Sequence, residues 1–461
     1  MWADKGDCDA ALEGVVEVGA DGSVQVKDAE RLRAGLIDTL AYHAVHHSTE
    51  ELRDYCRWLI RRAAETLEIR TASIHDLYMA IGRGEAGGFT TPAINIRGMT
   101  FDVSRAVVRA AMSRDVGALI FEIARSEIGY TEQRPAEYAA SILAGAIKEG
   151  YRGPVFLQGD HFQINAKKFA QDSDQELDAL RDVILEALKA GFYNIDIDSS
   201  TLVDLSRTDI KEQQRMNFEP AAELTRYIRE HEPEGVTVSV GGEVGEVGGK
   251  NTTVEEARAF IENYRETLAS CGGGMKGISK LSIQTGTSHG GILLADGTMA
   301  QVSIDFDTLA KISNLCRESY GLSGAVQHGA STLPDEAFNR LVESGASEVH
   351  LATAFQNLIY DRVPEVLRDE VRGWVIETYQ SSRKEGDTDE QLFYRERKRA
   401  FGPFKLQFSV LPEEVRAPIR VDLEDRFGFL FEKLGVVNTR EAVDRFVNPV
   451  EVSIPAPAAL S

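Results

Sequence analysis

The chain has 461 residues, of which 43% are hydrophobic and 27% are charged, a composition typical of a globular protein that buries a large core. Its formal net charge of -22 argues against nucleic acid or a membrane surface as the main partner, because phosphate-rich surfaces are bound by basic protein surfaces. A small phosphorylated ligand is compatible with this charge, since it needs only a local pocket for its anionic group.

The first 74 residues are predicted to form a helical extension. Two stretches have the apolar spacing of amphipathic helices, AERLRAGLIDTLAYHA and STEELRDYCRWLIRRAAETL. A region this short and polar cannot hold an independent core, so we expect it to pack on a neighbouring surface.

The central region alternates predicted strands and helices. Short runs rich in β-branched residues are separated by helical patterns, several of which end in glycine. The eight predicted strands are PAINIR (92–97), ALIFEIA (118–124), PVFLQG (154–159), NIDID (194–198), VTVSVG (236–241), KLSIQTG (280–286), GAVQH (324–328) and EVHLATA (348–354). Eight βα units predict an α/β fold of the TIM (β/α)8 barrel type over residues 75–359, because a doubly wound sheet usually has fewer strands.

The region from residue 360 to residue 461 is predicted to be a second helical extension. Charged helical patterns occur in PEVLRDEVRGWVIETYQSSRKEG, DEQLFYRERKRAF and LEDRFGFLFEKLG, whereas the tail NPVEVSIPAPAALS is predicted to be loose. We expect this extension also to pack on the barrel or between subunits of a homo-oligomer.

Several features of the sequence favour a cytoplasmic location. The apolar runs are too short for a membrane span, and the N-terminal stretch MWADKGDCDAALEG lacks the apolar segment of a signal peptide. The four cysteines are scattered, without a C-x-x-C pair, so neither a disulfide framework nor a cysteine zinc site is indicated.

Chemistry-bearing residues follow the ends of five predicted strands, where barrel enzymes carry their active sites. These residues are Asp160, His161, Asp196, Asp198, Glu243, Glu246, His289 and His328. A lone histidine in such a position is more often a hydrogen-bonding loop residue than a ligand. Three of the nine histidines at one rim, together with carboxylates, are however typical of a metal site, most often zinc. Of Asp196 and Asp198, we expect only one to point into the barrel and favour Asp198 for the rim.

The motifs GDH, EVGEVGG, GTSHGG and QHGAS, in this order and spacing, resemble those of the class II, metal-dependent ketose-bisphosphate aldolases. The resemblance extends from IHDLYMAIGRGEAGGFTTPAINIRG to EVHLATAFQ, that is, from residue 74 to residue 356. It implies a zinc-dependent enzyme of carbohydrate metabolism that cleaves a ketose phosphate, such as fructose 1,6-bisphosphate, into dihydroxyacetone phosphate and an aldehyde.

The resemblance also implies roles for individual residues. His161, His289 and His328 correspond to the zinc ligands, and Asp160 corresponds to the catalytic acid/base. Glu243 and Asp198 match positions associated with a second divalent metal position. The substrate-binding positions that it implies are Asn95, Ser126, Gly290, Gly329, Ser331, His350 and Thr353.

This assignment agrees with the chemistry of the reaction. Cleavage of a ketose leaves an enediolate, whose charge a divalent cation stabilises as a Lewis acid. A neighbouring carboxylate must remove the hydroxyl proton and return it in the reverse reaction, and Asp160 beside His161 is suitably placed. A Schiff-base aldolase is disfavoured, because Lys280 opens its strand and no other lysine falls at the rim.

Three departures from the family pattern keep alternatives open. On the eighth strand, His350 and Ala352 replace the family's asparagine and its acidic or amide residue. The loop after His289 lacks the lysine often found there, and the long extensions are nearer in size to the companion subunit of tagatose-bisphosphate aldolase. A non-catalytic companion subunit, or another metal-dependent lyase or isomerase acting on a related sugar, are therefore the alternative hypotheses.

Overall fold

The structure is a computed structural model that describes residues 2–245, 250–286, 293–294 and 303–457. The predicted positions Glu246, His289 and Gly290 therefore lie outside the described residues.

The N-terminal extension contains helices and short strands. Its elements are α1 (Lys5–Leu12), β1 (Val16–Val18), β2 (Val24–Val26), α2 (Ala29–Arg31), a π-helical turn (Leu32–Leu36), α3 (Ile37–His46), α4 (Glu50–Thr66) and β3 (Ile69–Ala72). Strands β1 and β2 form an antiparallel hairpin. The sequence predicted helices alone here, and three-residue strands such as these are too short to show a period in the sequence.

Eight parallel strands form a closed barrel. They are β4 (Thr91–Asn95), β5 (Ile120–Ala124), β6 (Gly153–Gln163), β7 (Asn194–Asp198), β8 (Ser239–Val244), β9 (Lys280–Ile283), β10 (Ala325–Gln327) and β11 (Glu348–Leu351). Each strand pairs with the next along the chain, and β11 pairs with β4 to close the ring. The prediction of a TIM barrel with helical extensions is confirmed.

Helices and helical turns connect the barrel strands and surround them. They are α5 (His75–Gly82), α6 (Thr100–Met112), α7 (Arg125–Tyr130), α8 (Pro135–Glu149), α9 (Ala166–Gln171), α10 (Ser173–Ala190), a 3-10 turn (Ser200–Leu202), α11 (Ile210–His231), α12 (Val254–Cys271), α13 (Phe306–Tyr320), a 3-10 turn (Ala330–Thr332), α14 (Ala337–Glu343) and α15 (Thr353–Arg362). Local sequence sets their ends: Asp172 caps α10 by accepting from the amide of Gln175, and Gly191, with φ of 93°, ends it.

The C-terminal extension is helical and packs on the barrel. It consists of α16 (Glu365–Thr378), a 3-10 turn (Gln380–Ser382), α17 (Asp389–Glu396), a 3-10 turn (Arg397–Phe401), α18 (Lys405–Ser409), α19 (Glu413–Lys433) and α20 (Arg440–Phe446). Helix α19 packs against α6 and α15, with Phe427 against Phe355 at 4.6 Å between ring centroids. The buried Arg420 of α19 donates to Asp102 of α6. No described helix has the length and apolar character to cross a membrane.

The N-terminal extension is joined to the barrel through its strand β3. This strand pairs in parallel with residues Gly153 to Phe156 of β6, and β7 pairs with the same strand from Gln158 onward. Asn194 lies at the junction, where its side chain donates to the carbonyl of Ala72 and accepts from the amide of Ile74. Helices α3 and α4 cover α8 on the outside.

Candidate active site

A bulge in β6 directs Asp160 and His161 into the same pocket. Adjacent residues of a regular strand point to opposite faces, so the two side chains could not both face the barrel interior. The pairing of β6 with β7 shifts between Gly159 and Phe162, which gives β6 one extra residue. His161 has φ of 39°, an uncommon backbone conformation for a residue with a side chain. Both residues line a pocket of about 450 Å³.

Gly159 makes this bulge sterically feasible. A Cβ atom at this position would lie 2.5 Å from the ring of Phe162, which is fully buried. In the sequence GDHF, Gly159 thus leaves space for the bulge, Asp160 and His161 provide the two polar side chains, and Phe162 packs in the apolar core.

His161 lies between carboxylates. Its Nδ1 atom is 3.1 Å from Oδ2 of Asp198 and 3.0 Å from Oε2 of Glu243. Burial lowers the pKa of His161, but the charges of Asp160 and Glu243 and the bond to Asp198 outweigh it and raise the pKa well above its usual value. Burial and the charge of Asp198 raise the pKa of Glu243 to about 7. Because two carboxylates lie beside one imidazole nitrogen, this part of the pocket favours a bound cation.

His328, which directly follows β10, lies next to His161. Their ring centroids are 4.2 Å apart. Ligand atoms of Asp160, His161 and His328 all lie within 4.8 Å of one another, and the same holds for His161, Asp198 and Glu243. The structure therefore brings the predicted zinc ligands His161 and His328 together with Asp198 and Glu243, the predicted carboxylates of the second metal position. The third predicted ligand, His289, lies outside the described residues.

His350 of β11 lines the pocket and is buried against carboxyl groups of the pocket and of the barrel interior. Its Nδ1 atom is 3.0 Å from Oδ1 of Asp160 and 3.1 Å from Oε2 of Glu122, and its Nε2 atom is 2.7 Å from Oε1 of Glu348. Burial lowers its pKa, but the charges of Glu122 and Asp160 outweigh it and hold the pKa of His350 well above its usual value. The predicted substrate-binding residue is thus also a partner of the predicted acid/base.

An ionic network fills the barrel below these residues. Nζ of the fully buried Lys280 is 2.6 Å from Oε1 of Glu348, 3.0 Å from Oδ2 of Asp196 and 2.7 Å from Oε1 of Gln158. These four side chains come from different strands, most of which are not neighbours, so they meet in the barrel interior. The hydroxyl of Tyr78 also donates to Glu348.

The expectation that only one of Asp196 and Asp198 points inward is wrong. Asp196 contacts Lys280 in the interior, and Asp198 contacts His161 above it. Residues two apart on a strand share a face, so both carboxylates are on the inner side. The same rule would have identified Glu122 and Glu348, since each lies among buried residues on a barrel strand. Sequence reasoning missed both of them, as well as the interior position of Lys280.

Among the described residues, four lysines and arginines line the pocket: Arg97, Arg125, Lys168 and Lys398. The Arg97 guanidinium is held by Oε1 of Glu127 at 2.7 Å, and Arg125 is held by Oε1 of Glu176 at 2.5 Å. Lys398 comes from the C-terminal extension and has no ion pair within the described part of the chain. Burial and the charge of Arg97 lower its pKa. The Lys398 ammonium also lies 5.9 Å from the ring centroid of Tyr130. A half-buried ammonium without a carboxylate partner, beside a guanidinium, favours an anionic ligand.

The remaining predicted substrate-binding residues that the structure describes also line this pocket. They are Asn95, Ser126, Gly329, Ser331 and Thr353. Asn95 donates to Oε2 of Glu127. The hydroxyl of Ser331 accepts from the amides of Ala352 and Thr353, at 2.6 and 3.2 Å, where α15 begins.

The sequence matches a known family over this region. A family model described as fructose-bisphosphate aldolase class-II matches residues 77–400. The chain belongs to the class II fructose-bisphosphate aldolase family. Membership supports a carbon–carbon lyase of the aldolase type, in a family that is generally metal-dependent, and the clustered imidazoles and carboxylates could bind a metal.

Solved structures share the fold at low sequence identity. A probable tagatose 6 phosphate kinase of Sinorhizobium meliloti 1021 is 16% identical, with a TM-score of 0.54, over 77% of this chain and 100% of that one. The fructuronate-tagaturonate epimerase of Cohnella laeviribosi is 13% identical, with a TM-score of 0.55, over 86% and 90%. A fructose-bisphosphate aldolase of Campylobacter jejuni is 17% identical, with a TM-score of 0.47, over 80% and 98%. The first two show a shared fold.

Proposed function

We propose that the protein is a zinc-dependent class II aldolase that reversibly cleaves a ketose phosphate, such as fructose 1,6-bisphosphate, into dihydroxyacetone phosphate and an aldehyde. The bulge in β6 carries the proposal, because it directs the adjacent Asp160 and His161 into one pocket. Retro-aldol cleavage needs this juxtaposition of a proton acceptor and a cation-binding side chain.

The donor set fits a zinc ion. His161, His289 and His328 would hold it, and Asp198 and Glu243 would serve a second divalent position. The support is the cluster of Asp160, His161 and His328, together with the two carboxylates on His161, because imidazole and carboxylate donors suit zinc. When bound, the cation would supply the positive charge that stabilises the enediolate left by cleavage.

Asp160 is the proton-transfer residue of the proposed reaction. In the cleavage direction, its carboxylate accepts the proton of the hydroxyl group at the bond that breaks, and it returns this proton in condensation. The hydrogen bond from His350 to Oδ1 of Asp160 fixes the orientation of the carboxylate. Proton transfer requires such positioning, because it proceeds only over hydrogen-bonding distances.

The basic wall of the pocket is suited to the anionic end of the substrate. Lys398 and Arg97 lie on the same wall, and both line the pocket that contains Asp160. A phosphate group would pair with the Lys398 ammonium, which has no carboxylate partner within the described residues. The local basic wall thereby accommodates a sugar phosphate on a protein whose net charge is -22.

A second candidate is an isomerase or epimerase that enolises a related sugar without breaking a carbon–carbon bond. The eighth strand favours it, because His350 and Ala352 depart there from the residues of ketose-bisphosphate aldolases. A protein of the same fold is named as an epimerase of fructuronate and tagaturonate. The third hypothesis, a non-catalytic companion subunit, is disfavoured because such a scaffold needs neither Asp160 nor the clustered histidines.

The decisive experiment is substrate screening of the purified protein. Bound metal is quantified, and a panel of ketose phosphates and hexuronates is incubated with and without a chelator. We expect release of an aldehyde, loss of activity with the chelator and recovery with zinc. Epimer formation without aldehyde would favour the second candidate, and inertness of the metal-loaded protein would favour the companion subunit. We also propose that the protein is a homo-oligomer located in the cytoplasm. Light scattering of the purified protein would test its oligomeric state, and microscopy of the tagged protein would test its location.

A further inference from the structure

A second cavity lies at the end of the barrel where the strands begin, opposite the pocket of Asp160. Its volume is about 510 Å³, which is in the size range of small-molecule sites. It is bounded by α5, by the last turns of α12 and by the loops that precede β9 and β10. Among the described residues, none lines both this cavity and the pocket of Asp160. The proposed aldolase reaction therefore gives this cavity no role.

The charged lining of this cavity is mainly basic. Among the described residues it consists of Asp76, Arg83, Arg265 and Lys276. Arg83 is already paired with Glu85, at 2.8 Å. Arg265 and Lys276 form no ion pair within the described part of the chain. In a protein whose net charge is -22, two basic residues without acidic partners in one cavity indicate a site for an anion.

Hydrogen bonds to neutral groups hold both of these cations in place. The guanidinium of Arg265 donates to the carbonyl oxygen of Tyr320 at 2.6 Å and lies 5.0 Å from the centroid of the Tyr320 ring. Nζ of Lys276 donates to Oγ1 of Thr237 at 3.0 Å. Because neutral acceptors do not compensate the positive charges, both groups keep their attraction for an anionic ligand.

The side chain of His75, at the start of α5, forms a buried part of the cavity wall. It is 4% exposed, and its Nδ1 atom has no hydrogen-bond partner within the described residues. Burial and the charges of Arg229 and Lys276 lower the pKa of His75 to about 3. Arg229 of α11 donates to the carbonyl oxygen of Lys276 at 2.7 Å, which fixes the loop before β9. The effect of both cations on this ring indicates a positive potential at the inner wall of the cavity.

Apolar side chains line much of the remaining surface of the cavity. They are Met79, Leu268, Ala269, Met275, Ile278 and Leu322. Methionine side chains are flexible and adapt to ligands of different shapes. Gly274 also lines the cavity, and a Cβ atom at this position would meet no other atom within 4 Å, so the loop leaves the cavity open. The cavity therefore combines an apolar surface with two uncompensated cations.

We propose that this cavity binds a small organic phosphate, whose phosphate group pairs with Arg265 and Lys276 and whose apolar part packs on the methionine and leucine side chains. A phosphate suits two cations better than a single carboxylate does, because it carries up to about two charges and offers three acceptor oxygens. The inference is independent of the proposed aldolase function, since the two sites share no described lining residue.

Calorimetric titration of the full-length protein with 1-naphthyl phosphate tests the proposal. Inorganic phosphate, which lacks the apolar part, and 1-naphthol, which lacks the charge, are titrated under the same conditions. We expect 1-naphthyl phosphate to bind saturably, and each of the two partial ligands to bind at least about 10-fold more weakly, because each loses one class of contact.

Substitutions of the two cations identify the site. Arg265→Gln and Lys276→Gln should each weaken binding of 1-naphthyl phosphate by about 10-fold, the effect of one lost charge-assisted contact. The matched controls are Arg258→Gln, an exposed arginine of the same helix, and Lys311→Gln, an exposed lysine of α13; neither lines the cavity, and both should keep wild-type affinity. Lys398→Gln weakens any binding in the pocket of Asp160 and should leave the affinity of this cavity unchanged.

Histidine-selective NMR locates the bound ligand independently of affinity. The ring signals of His75 are assigned by their absence from His75→Gln. They should shift as 1-naphthyl phosphate is added to Lys398→Gln, and the shift should saturate at the affinity measured by calorimetry.

Three results would overturn the proposal: no saturable binding of 1-naphthyl phosphate, equal affinity for 1-naphthol, or unchanged affinity in both Arg265→Gln and Lys276→Gln. Loss of all binding in Lys398→Gln would also overturn it, because the ligand would then occupy the pocket of Asp160. Unfolding midpoints of the variants should match wild type. If one of the two cation variants does not fold, the other, together with the His75 signals, decides the outcome. None of these results bears on the aldolase proposal.

Discussion

Nδ1 of His350 lies 3.0 Å from Oδ1 of Asp160, which ties the eighth strand of the barrel to the proposed acid/base on the third. The other ring nitrogen of His350 is 2.7 Å from Glu348, so the ring is fixed from both sides. His350 thus stands where the family resemblance implies an asparagine, and it contacts the proposed acid/base from the pocket lining.

Replacing this histidine should affect substrate handling more than metal binding. His350→Asn cannot bond both Asp160 and Glu348 as the imidazole does, so we expect kcat/KM to fall by about 10- to 100-fold, the effect of one lost charge-assisted hydrogen bond. Substrate preference among ketose phosphates should shift as well. Metal content, measured by atomic absorption, should stay at the wild-type value. Joint loss of metal and activity would instead make His350 part of the metal site.

Removing the acid/base should leave the metal in place. Asp160→Ala is expected to lower turnover by about 10²–10⁴-fold, because no other group then accepts the hydroxyl proton. The proposed zinc ligands are untouched by this change, so metal content should be near wild type. Full activity in this variant would refute the role of Asp160.

Loss of a ligand should have the opposite pattern. We expect His328→Ala to lose bound metal and activity together, since a site with three imidazoles cannot hold zinc tightly with one removed. His231→Ala is the control, because His231 is an exposed histidine at the end of α11. Equal metal content in the two variants would show that His328 is not a ligand.

The pocket wall contributed by the C-terminal extension should determine affinity for the anionic end of the substrate. Lys398→Gln is expected to raise KM by about 10- to 100-fold with little change in kcat, because one charge-assisted contact to the substrate is lost. The effect should be larger for a ketose bisphosphate than for a monophosphate. Steady-state kinetics beside the exposed control Lys384→Gln would test this, and equal KM values for the two variants would contradict it.

The buried His75 should destabilise the protein in acid. Burial and the charges of Arg229 and Lys276 lower its pKa from 6.5 to about 3. Above 6.5 the imidazole is neutral in both states, whereas below 6.5 it gains a proton in the unfolded chain first. Stability is therefore lost as pH falls from 6.5 toward 3, by about 2–3 kcal/mol near pH 4.5.

Denaturant unfolding of wild type and His75→Gln, at about pH 7 and about pH 4.5, would measure this contribution. The acid-induced loss should be smaller in the variant. Carboxyl groups with raised pKa values, such as Glu243, make stability rise as pH falls, which is the opposite effect. They are present in both wild type and His75→Gln, so the comparison cancels their contribution. Equal pH dependence of the two would show that folding does not lower the pKa of His75.

Much of the fold could be predicted because its patterns are local. Each of the eight strands was recognised from a short β-branched run, and the rim residues followed from the rule that barrel chemistry lies at strand ends. The hairpin of Val16–Val18 and Val24–Val26 was missed, since three residues are too few to define a period.

The geometry that makes the site could not be predicted in the same way. The bulge at Asp160 and His161 depends on how β6 pairs with β7, and nothing local to GDH specifies that register. The interior contacts of Lys280 with Glu348 and Asp196 join strands that are far apart in the chain. An alternating charged residue in an apolar strand indicates an inward position, but its partners depend on the closed barrel.

The shared edge of β6 has a consequence for how the chain acquires its structure. Strand β3 and strand β7 occupy successive parts of that edge, and the amide group of Asn194 bonds the backbone on both sides of the β3 end. Detaching the residues before β4 would leave unpaired backbone along β6 and would leave the buried amide of Asn194 with only its bond to the carbonyl of Leu157. We therefore expect the N-terminal extension and the barrel to unfold together as one cooperative unit, since β3 pairs with the same strand of the barrel as β7.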